Sequence, residues 1–148
     1  MKVSSQGIFP GLVTGSFSID SPFDTRYNCT AWAVGDTTRY WDPSKGRRYY
    51  WLKACPRNYS VESYRKAFEQ LGYKVCDHDH LEKQYEKIAL FAKNGEVTHA
   101  ARQLACGEWT SKIGTGEDIR HALRALCGDP YGDVALVMKR RTDSTIRG

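Results

Sequence analysis

Residues 86–104 read EKIALFAKNGEVTHAARQL, and this stretch decides the fold. Two runs rich in apolar residues flank Asn94-Gly95, the strongest two-residue signal for a β-hairpin. The pattern predicts one strand over residues 86–93 and a return strand over residues 96–104. A two-residue turn would pair Leu90 with His99. The hairpin face that we expect a helix to cover then carries Ile88, Leu90, Ala92, Val97, His99 and Ala101, of which only the histidine is ionisable.

Two helices are predicted before this hairpin. Asn28 is a suitable N-cap for a short helix over residues 29–34. Ser60 is a suitable N-cap for an amphipathic helix over residues 61–71, in which apolar side chains recur at helical spacing and Gly72 ends the pattern.

The remaining elements are mostly strands. Short strands are predicted over residues 73–76 and 107–113, and a nearly continuous apolar strand over residues 134–139. Residues 117–127 have the spacing of a further amphipathic helix. Helices first and a meander of strands later predict an α+β fold, in which the Cys-bearing helix and two further helices pack on one face of an antiparallel sheet.

The composition is that of one soluble globular domain. The chain has 148 residues, 41% hydrophobic and 26% charged, which argues against disordered, collagen-like and coiled-coil proteins. We expect an irregular segment over residues 1–27, a single catalytic domain over residues 28–140 and a frayed tail over residues 141–148.

The sequence also indicates a compartment. The apolar runs are far shorter than the roughly 20 residues of a membrane-spanning helix. The first ten residues do not resemble a signal peptide, and five scattered cysteines do not form a disulfide pattern. These features predict a cytoplasmic protein without a membrane partner, or one delivered to another compartment or cell by a route other than Sec.

The positive charge is concentrated in residues 39–57, which we call the basic aromatic segment. Six basic residues against Asp42 account for the whole net charge of +5, and five aromatic residues lie among them. Such a mixture suits an anionic or ring-bearing ligand. A non-catalytic module that binds nucleic acid or a glycan through this segment is therefore an alternative function, and a solvated loop with inward-packed aromatics is the simpler interpretation. The substrate-binding residues predicted in and near the segment are Trp32, Arg47, Arg48 and Trp51.

Cys29 is the candidate nucleophile. A cysteine in the first turn of a helix meets the positive end of the helix dipole and unpaired backbone N–H groups, both of which favour the thiolate. The same N–H groups can stabilise an oxyanion. If the Cys29 helix packs on the face that carries His99, the imidazole is its general base or ion-pair partner. A small buried apolar cysteine and a core histidine are the simpler alternatives.

These motifs resemble the papain-like cysteine hydrolases, most closely their compact NlpC-type branch. The resemblance rests on residues 28–33 (NCTAWA), 86–104 and 107–114 (GEWTSKIG). It implies a nucleophilic Cys29 and a partner His99 that act on amides or esters, with a peptide, a peptidoglycan-like substrate or a protein target and without a cofactor. Members of this family include peptidases, deamidases, acyl transferases and toxins, and an effector or toxin module fits this chain.

The third catalytic residue has two candidates. The resemblance implies a polar residue on the strand after His99, although this strand offers no His, Asn or Gln. A tight turn at Cys106-Gly107 would point Ser111 away from His99, whereas a one-residue bulge at Gly107 would bring it onto the same face. Gln103 shares the face of His99 but lies about 13 Å along the strand. We therefore expect Ser111 to orient His99, with Gln103 in reserve.

A metal site is the last alternative. Cys76, His78 and His80 recur at period two and would share one face of a strand, with His121 or Cys106 as a fourth ligand. No second ligand pair has a recognised zinc spacing. The sequence therefore favours a solvated polar loop, and we predict no metal ligands.

Overall fold

Seven antiparallel strands form one sheet in the computed structural model, which describes residues 18–21, 27–44, 49–113, 118–128 and 131–142. The strands lie in the order β1-β6-β5-β4-β3-β7-β2. The predicted α+β class is confirmed. The strands are β1 (Ser18–Ser21), β2 (Lys74–Cys76), β3 (Tyr85–Lys93), β4 (Glu96–Gln103), β5 (Trp109–Lys112), β6 (Asp118–His121) and β7 (Asp133–Arg141).

Two α-helices begin where the capping residues predict. Helix α1 spans Cys29–Ala33, and the Asn28 side chain accepts a hydrogen bond from the backbone N–H of Ala31. Helix α2 spans Val61–Gln70, and the Ser60 hydroxyl accepts from the backbone N–H of Ser63. In both cases the side chain satisfies one backbone donor that the helix itself leaves without a partner.

The sheet separates two apolar cores. Helix α1 contacts β4 and β5, and α2 contacts β2, β4 and β7. We call this side of the sheet the helix face, whose core includes Ala31, Tyr64, Phe68, Leu90, Ala100 and Met138. The other side, the far face, has a core that includes Ala89, Phe91, Ala101, Trp109, Ile119 and Leu126.

The helix predicted over residues 117–127 is wrong. The described part of this stretch is β6, followed by a short 3₁₀ helix, Leu123–Leu126. Strand β6 pairs with β5 on one side and β1 on the other. Hydrogen bonds to strands on both sides thus stabilise the extended conformation more than the apolar spacing stabilises a helix, because local helix preference is weak. Of the two further helices expected, the described residues form only α2 as an α-helix.

Two described strands lie wholly or partly outside the domain predicted over residues 28–140. Residues 18–21 form β1, although they fall in the segment expected to be irregular, and β7 extends to Arg141. Most of that segment and residues 143–148 lie outside the described residues. In the part of the chain that the structure describes, no helix is long and apolar enough to cross a membrane.

The hairpin at Asn94-Gly95 forms, but its register shifts beyond the turn. Lys93 pairs with Glu96 and Ala92 with Val97, as predicted, whereas Phe91 pairs with His99. One extra residue, Thr98, is accommodated on β4 as a bulge, and a bulge reverses which side chains point to each face. The predicted Leu90–His99 pairing is therefore wrong.

Candidate active site

Cys29 lies where predicted, at the first turn of α1, and its side chain is half-buried. Burial raises the pKa of the Cys29 thiol, and hydrogen bonds from the backbone of Ala100 and from Thr30 offset only part of that effect. Helix α1 has five residues, so its dipole is small. Burial of the sulfur therefore favours the protonated thiol, whereas the helix start favours the thiolate.

Cys29 and His99 lie on opposite sides of the sheet. Ala100 belongs to the helix-face core, and adjacent residues of a strand point to opposite faces. The His99 ring accordingly contacts the far-face residues Phe91, at 5.4 Å between ring centroids, and Tyr131, at 4.0 Å and nearly parallel. The expectation that His99 faces the Cys29 helix is wrong, because the Thr98 bulge turns it away.

His99 is buried, and no polar partner lies beside it among the described residues. It is 1% exposed. Among the residues that the structure describes, neither of its ring nitrogens has a hydrogen-bond partner. Burial lowers the pKa of His99 well below its ordinary value, and the nearby His121 lowers it further. A neutral imidazole thus presents one N–H donor and one lone pair that nothing described satisfies, a costly arrangement in a folded protein.

A second histidine forms the hydrogen-bonded pair that was expected of His99. His121 Nε2 lies 2.7 Å from Ser111 Oγ, and His121 Nδ1 lies 2.7 Å from the Ala122 carbonyl oxygen. Because a carbonyl only accepts, Nδ1 carries the proton, and the lone pair of Nε2 accepts the Ser111 hydroxyl proton. Burial lowers the pKa of His121 and keeps the ring neutral. The Ser111 hydroxyl, the His121 base and the Ala122 carbonyl that orients this base are thus connected by hydrogen bonds.

The register of β5 brings Ser111 to this pair. Gln103 pairs with Trp109, one residue away from the register of a tight turn. Gly107, at φ 97°, takes the left-handed conformation in this turn. Trp109 packs in the far-face core, so Ser111 points to the same face. Ser111 therefore lies on the face of His99, as expected, but its partner is His121.

The reserve candidate Gln103 has another role. Its side-chain amide donates to the Asp79 carbonyl oxygen at 3.1 Å. It thereby holds the loop before β3 against the end of β4. Sequence reasoning missed His121 as a base because it assigned residues 117–127 to a helix, although β6 places it directly opposite Trp109.

Comparison with known proteins gives one family. Residues 18–139 match the model of a domain of unknown function, DUF7689. The chain belongs to this family. The match begins at the first residue of β1 and ends within β7, so it includes every element described above except the last two residues of β7. No curated protein and no solved structure matches the chain.

The helix face of this DUF7689 domain carries its own buried polar cluster. Lys112 Nζ lies 3.8 Å from Asp118 Oδ1 across β5 and β6, and both side chains are fully buried. The Tyr27 hydroxyl donates to Asp118 Oδ2 at 2.7 Å, and Lys112 lies over the Tyr27 ring. These contacts connect the residues before α1 to the sheet.

The predicted substrate-binding residues divide into three groups. Arg47 and Arg48 lie outside the described residues. Trp51 is buried in the helix-face core and donates to the Pro56 carbonyl oxygen at 3.0 Å, so it is not available on the surface. Trp32 donates to Thr110 Oγ1 at 3.0 Å and fixes α1 on β5.

The described part of the basic aromatic segment is largely satisfied internally. Arg39 pairs with Asp36 and lies 3.6 Å from the centroid of the Tyr50 ring. The Arg57 guanidinium donates to the Ser44 carbonyl oxygen, and Trp41 is buried. Inward-packed aromatics, the simpler interpretation of this segment, agree with these contacts.

Proposed function

We propose that this DUF7689 domain is a hydrolase or acyl transferase that acts on amide or ester bonds, with Ser111 as the nucleophile and His121 as the general base. One observation carries the proposal: the 2.7 Å hydrogen bond between Ser111 Oγ and His121 Nε2, with Nδ1 tied to the Ala122 carbonyl oxygen. This tautomer is the one that can take a proton from the nucleophile.

The steps follow from these positions. Ser111 Oγ attacks the substrate carbonyl carbon while its proton moves to His121 Nε2. His121 then gives this proton to the leaving amine or alcohol, which departs and leaves an acyl group on Ser111. Water or a second acceptor, deprotonated by the same nitrogen, completes hydrolysis or transfer. The Ala122 carbonyl holds the imidazolium in place between these steps.

His99 is the candidate for a group that contacts the substrate. It lies on the same face, its neutral ring has an N–H to donate, and no described group accepts it. A hydrogen-bond donor that is already fixed in a buried site can stabilise the oxyanion of an acyl-transfer intermediate without reorganisation of the site. Since Ser111 and His121 are fully buried, substrate entry requires the side chains that cover them to move. Access to the His99 ring requires movement of the half-buried Tyr131, which stacks on it.

A cysteine hydrolase that uses Cys29 is the second candidate. It is favoured by the hydrogen bonds that the backbone of Ala100 and Thr30 offers to the sulfur, since these stabilise a thiolate once it forms. The order of a Cys-bearing helix packed on an antiparallel sheet also fits the papain-like resemblance, which implies a peptide, peptidoglycan-like or protein substrate. This candidate needs a base other than His99.

Covalent labelling distinguishes the two nucleophiles. The wild-type chain is treated with a fluorophosphonate probe and, separately, with iodoacetamide at mildly acidic pH, and the modified residues are mapped by mass spectrometry. We expect the fluorophosphonate on Ser111, loss of label in Ser111→Ala, and labelling at least tenfold slower in His121→Gln. Cys29→Ser should label like the wild type, and so should the control Thr110→Ser, which changes the neighbouring side chain on the opposite face of β5.

The contrary outcomes are equally specific. If the fluorophosphonate does not label the protein and iodoacetamide alkylates Cys29 before the other four cysteines, the nucleophile is Cys29 and not Ser111. If neither residue reacts preferentially, both enzyme candidates fail. A non-catalytic binding module would then remain, and its binding to an anionic partner would weaken steeply with salt.

A further inference from the structure

The turn after β2 brings three different metal-ligand atoms together. The Sγ of Cys76, a carboxylate oxygen of Asp77 and a ring nitrogen of His78 all lie within 4.8 Å of one another. Strand β2 ends at Cys76, so the chain from Asp77 onward is not the period-two strand that the metal-site alternative required, and the favoured polar loop agrees with this. The irregular turn that replaces it lets consecutive residues converge on one point, which a strand would prevent.

From this cluster we propose a binding site for a divalent transition metal, best suited to Zn²⁺, formed by Cys76, Asp77 and His78. Sulfur, carboxylate oxygen and imidazole nitrogen are the ligand types of zinc in proteins. In a tetrahedral site with bonds of about 2.0–2.3 Å, neighbouring ligand atoms are roughly 3.3–3.8 Å apart. From separations of at most 4.8 Å, the ligand atoms must approach one another by up to about 1.0–1.5 Å, which rotation of the side chains can supply.

A cavity and a fourth ligand adjoin the cluster. A cavity of about 420 Å³ is lined by all five residues from 76 to 80, and by Arg124 and part of β7. The His80 ring centroid lies 5.1 Å from that of His78, and the exposed His80 can rotate toward the metal. Arg124 also lines the cavity, and its charge is offset by Asp79 at 2.5 Å.

The metal has to compete with the Lys87 ammonium for the ring nitrogen of His78. Its buried ammonium contacts His78 Nδ1 at 3.2 Å, the His80 carbonyl oxygen at 2.6 Å and Glu82 Oε1 at 3.2 Å. An ammonium only donates, so His78 Nδ1 accepts from Lys87, and the backbone N–H of His80 donates to the same nitrogen at 3.3 Å. A metal at this nitrogen has to displace both donors. On metal binding, Lys87 keeps its contacts with His80 and Glu82, His78 supplies a nitrogen, and the Cys76 thiol releases its proton to solvent.

Cobalt substitution provides the test, because thiolate-bound Co²⁺ absorbs in the near ultraviolet and tetrahedral Co²⁺ absorbs in the visible. Chelator-treated full-length protein is titrated with Co²⁺ and then with Zn²⁺. We expect one equivalent of Co²⁺ with both absorptions, and displacement by one equivalent of Zn²⁺. Asp77→Asn and His78→Ala alter side chains that are not buried, and each should weaken the affinity at least tenfold. Cys76→Ser should remove the near-ultraviolet band.

Two controls separate this site from its surroundings. Cys106→Ser removes an exposed thiol outside the cluster and should leave the spectrum and affinity unchanged. Ser111→Ala should also bind metal normally, so the outcome is independent of the proposed enzyme activity. Failure to take up one equivalent, an unchanged affinity in His78→Ala, or a near-ultraviolet band that persists in Cys76→Ser would each overturn the proposal.

Discussion

At the scale of single residues, burial decides the chemistry of the candidate groups. The sequence position of Cys29 favours a thiolate, yet desolvation dominates and raises its pKa. Burial also keeps His99 and His121 neutral. For His121 this is useful, because a neutral imidazole can accept the Ser111 proton. For Cys29 it removes the reactivity that the helix start would otherwise provide.

The order in which the cysteines are alkylated tests whether burial lowers the reactivity of Cys29. Iodoacetamide reacts with the thiolate, so the exposed Cys106 should be alkylated before Cys29 at neutral pH. The measurement is a time course of labelling followed by peptide mapping. Faster reaction at Cys29 would show that a nearby base offsets its burial and would favour the cysteine candidate.

The two buried histidines should make stability depend on pH. Their folded-state pKa values are lowered, so both are neutral in the native state at pH 7. As the pH falls below the ordinary histidine pKa of about 6.5, these two histidines bind protons in the unfolded chain but not in the native state. The free energy of unfolding should therefore decrease from about pH 7 toward pH 5, by up to about 2.7 kcal/mol per pH unit for two protons.

Urea denaturation at several pH values measures this decrease. His99→Phe should remove about half of the slope, since Phe fits among Phe91 and Tyr131 and does not titrate. The control His80→Gln, at an exposed position, should keep the slope of the wild type. Equal slopes in His99→Phe and the wild type would mean that His99 is protonated in the native state.

At the scale of elements, one bulge determines which face receives His99. The hairpin turn itself follows the sequence, with Asn94 and Gly95 at positive φ as a tight turn requires. Thr98 then shifts the register, and its hydroxyl donates to the Phe91 carbonyl oxygen at 3.3 Å and also contacts the Tyr131 carbonyl oxygen. These contacts hold the extra residue in place.

Deletion of Thr98 should cost no more than loss of its side chain. Without the extra residue, Val97 and His99 are adjacent, so Ala92 still pairs with Val97 and Phe91 with His99, and every side chain keeps its face. We expect the deletion variant and Thr98→Val each to lose only about 1 kcal/mol, because both remove the hydrogen bond of the Thr98 hydroxyl. The measurement is urea denaturation. A deletion variant that loses more than about 3 kcal/mol or fails to fold would refute this account of the bulge.

At the scale of the whole molecule, the cluster of Tyr27, Lys112 and Asp118 connects the residues before α1 to strands β5 and β6, next to the β1 edge of the sheet. Both charges are fully buried, so their desolvation cost is high and each depends on the other. Tyr27 and Asp118 are 91 residues apart in sequence, and such a contact forms only in the complete fold.

A double-mutant cycle measures this dependence. Lys112→Met and Asp118→Asn should each cost about 3–5 kcal/mol, because each leaves one buried charge without its counter-charge. The double variant should be more stable than the sum of the two single losses predicts. The control cycle uses the more exposed pair Arg124 and Asp79, replaced by Met and Asn, and should show a coupling below about 1 kcal/mol. Additive losses at Lys112 and Asp118 would contradict a coupled pair.

The sequence by itself determined the local features of this protein. Asn28 and Ser60 begin the two α-helices, and Asn94-Gly95 closes the hairpin, because capping and turn formation depend on residues within one turn of the chain. The α+β class followed from the order of these elements. The prediction that Ser111 shares the face of His99 is also confirmed, through a one-residue change of register near Gly107.

Only the tertiary structure decided the candidate site. Residues 118–121 have no strong local preference and became a strand because β1 and β5 pair with them on both sides. That pairing joins His121 to Ser111, while the Thr98 bulge separates His99 from Cys29. Register and face are set by hydrogen bonds between distant strands and by the burial of whole cores. The spacing of apolar residues along a single strand therefore cannot determine them.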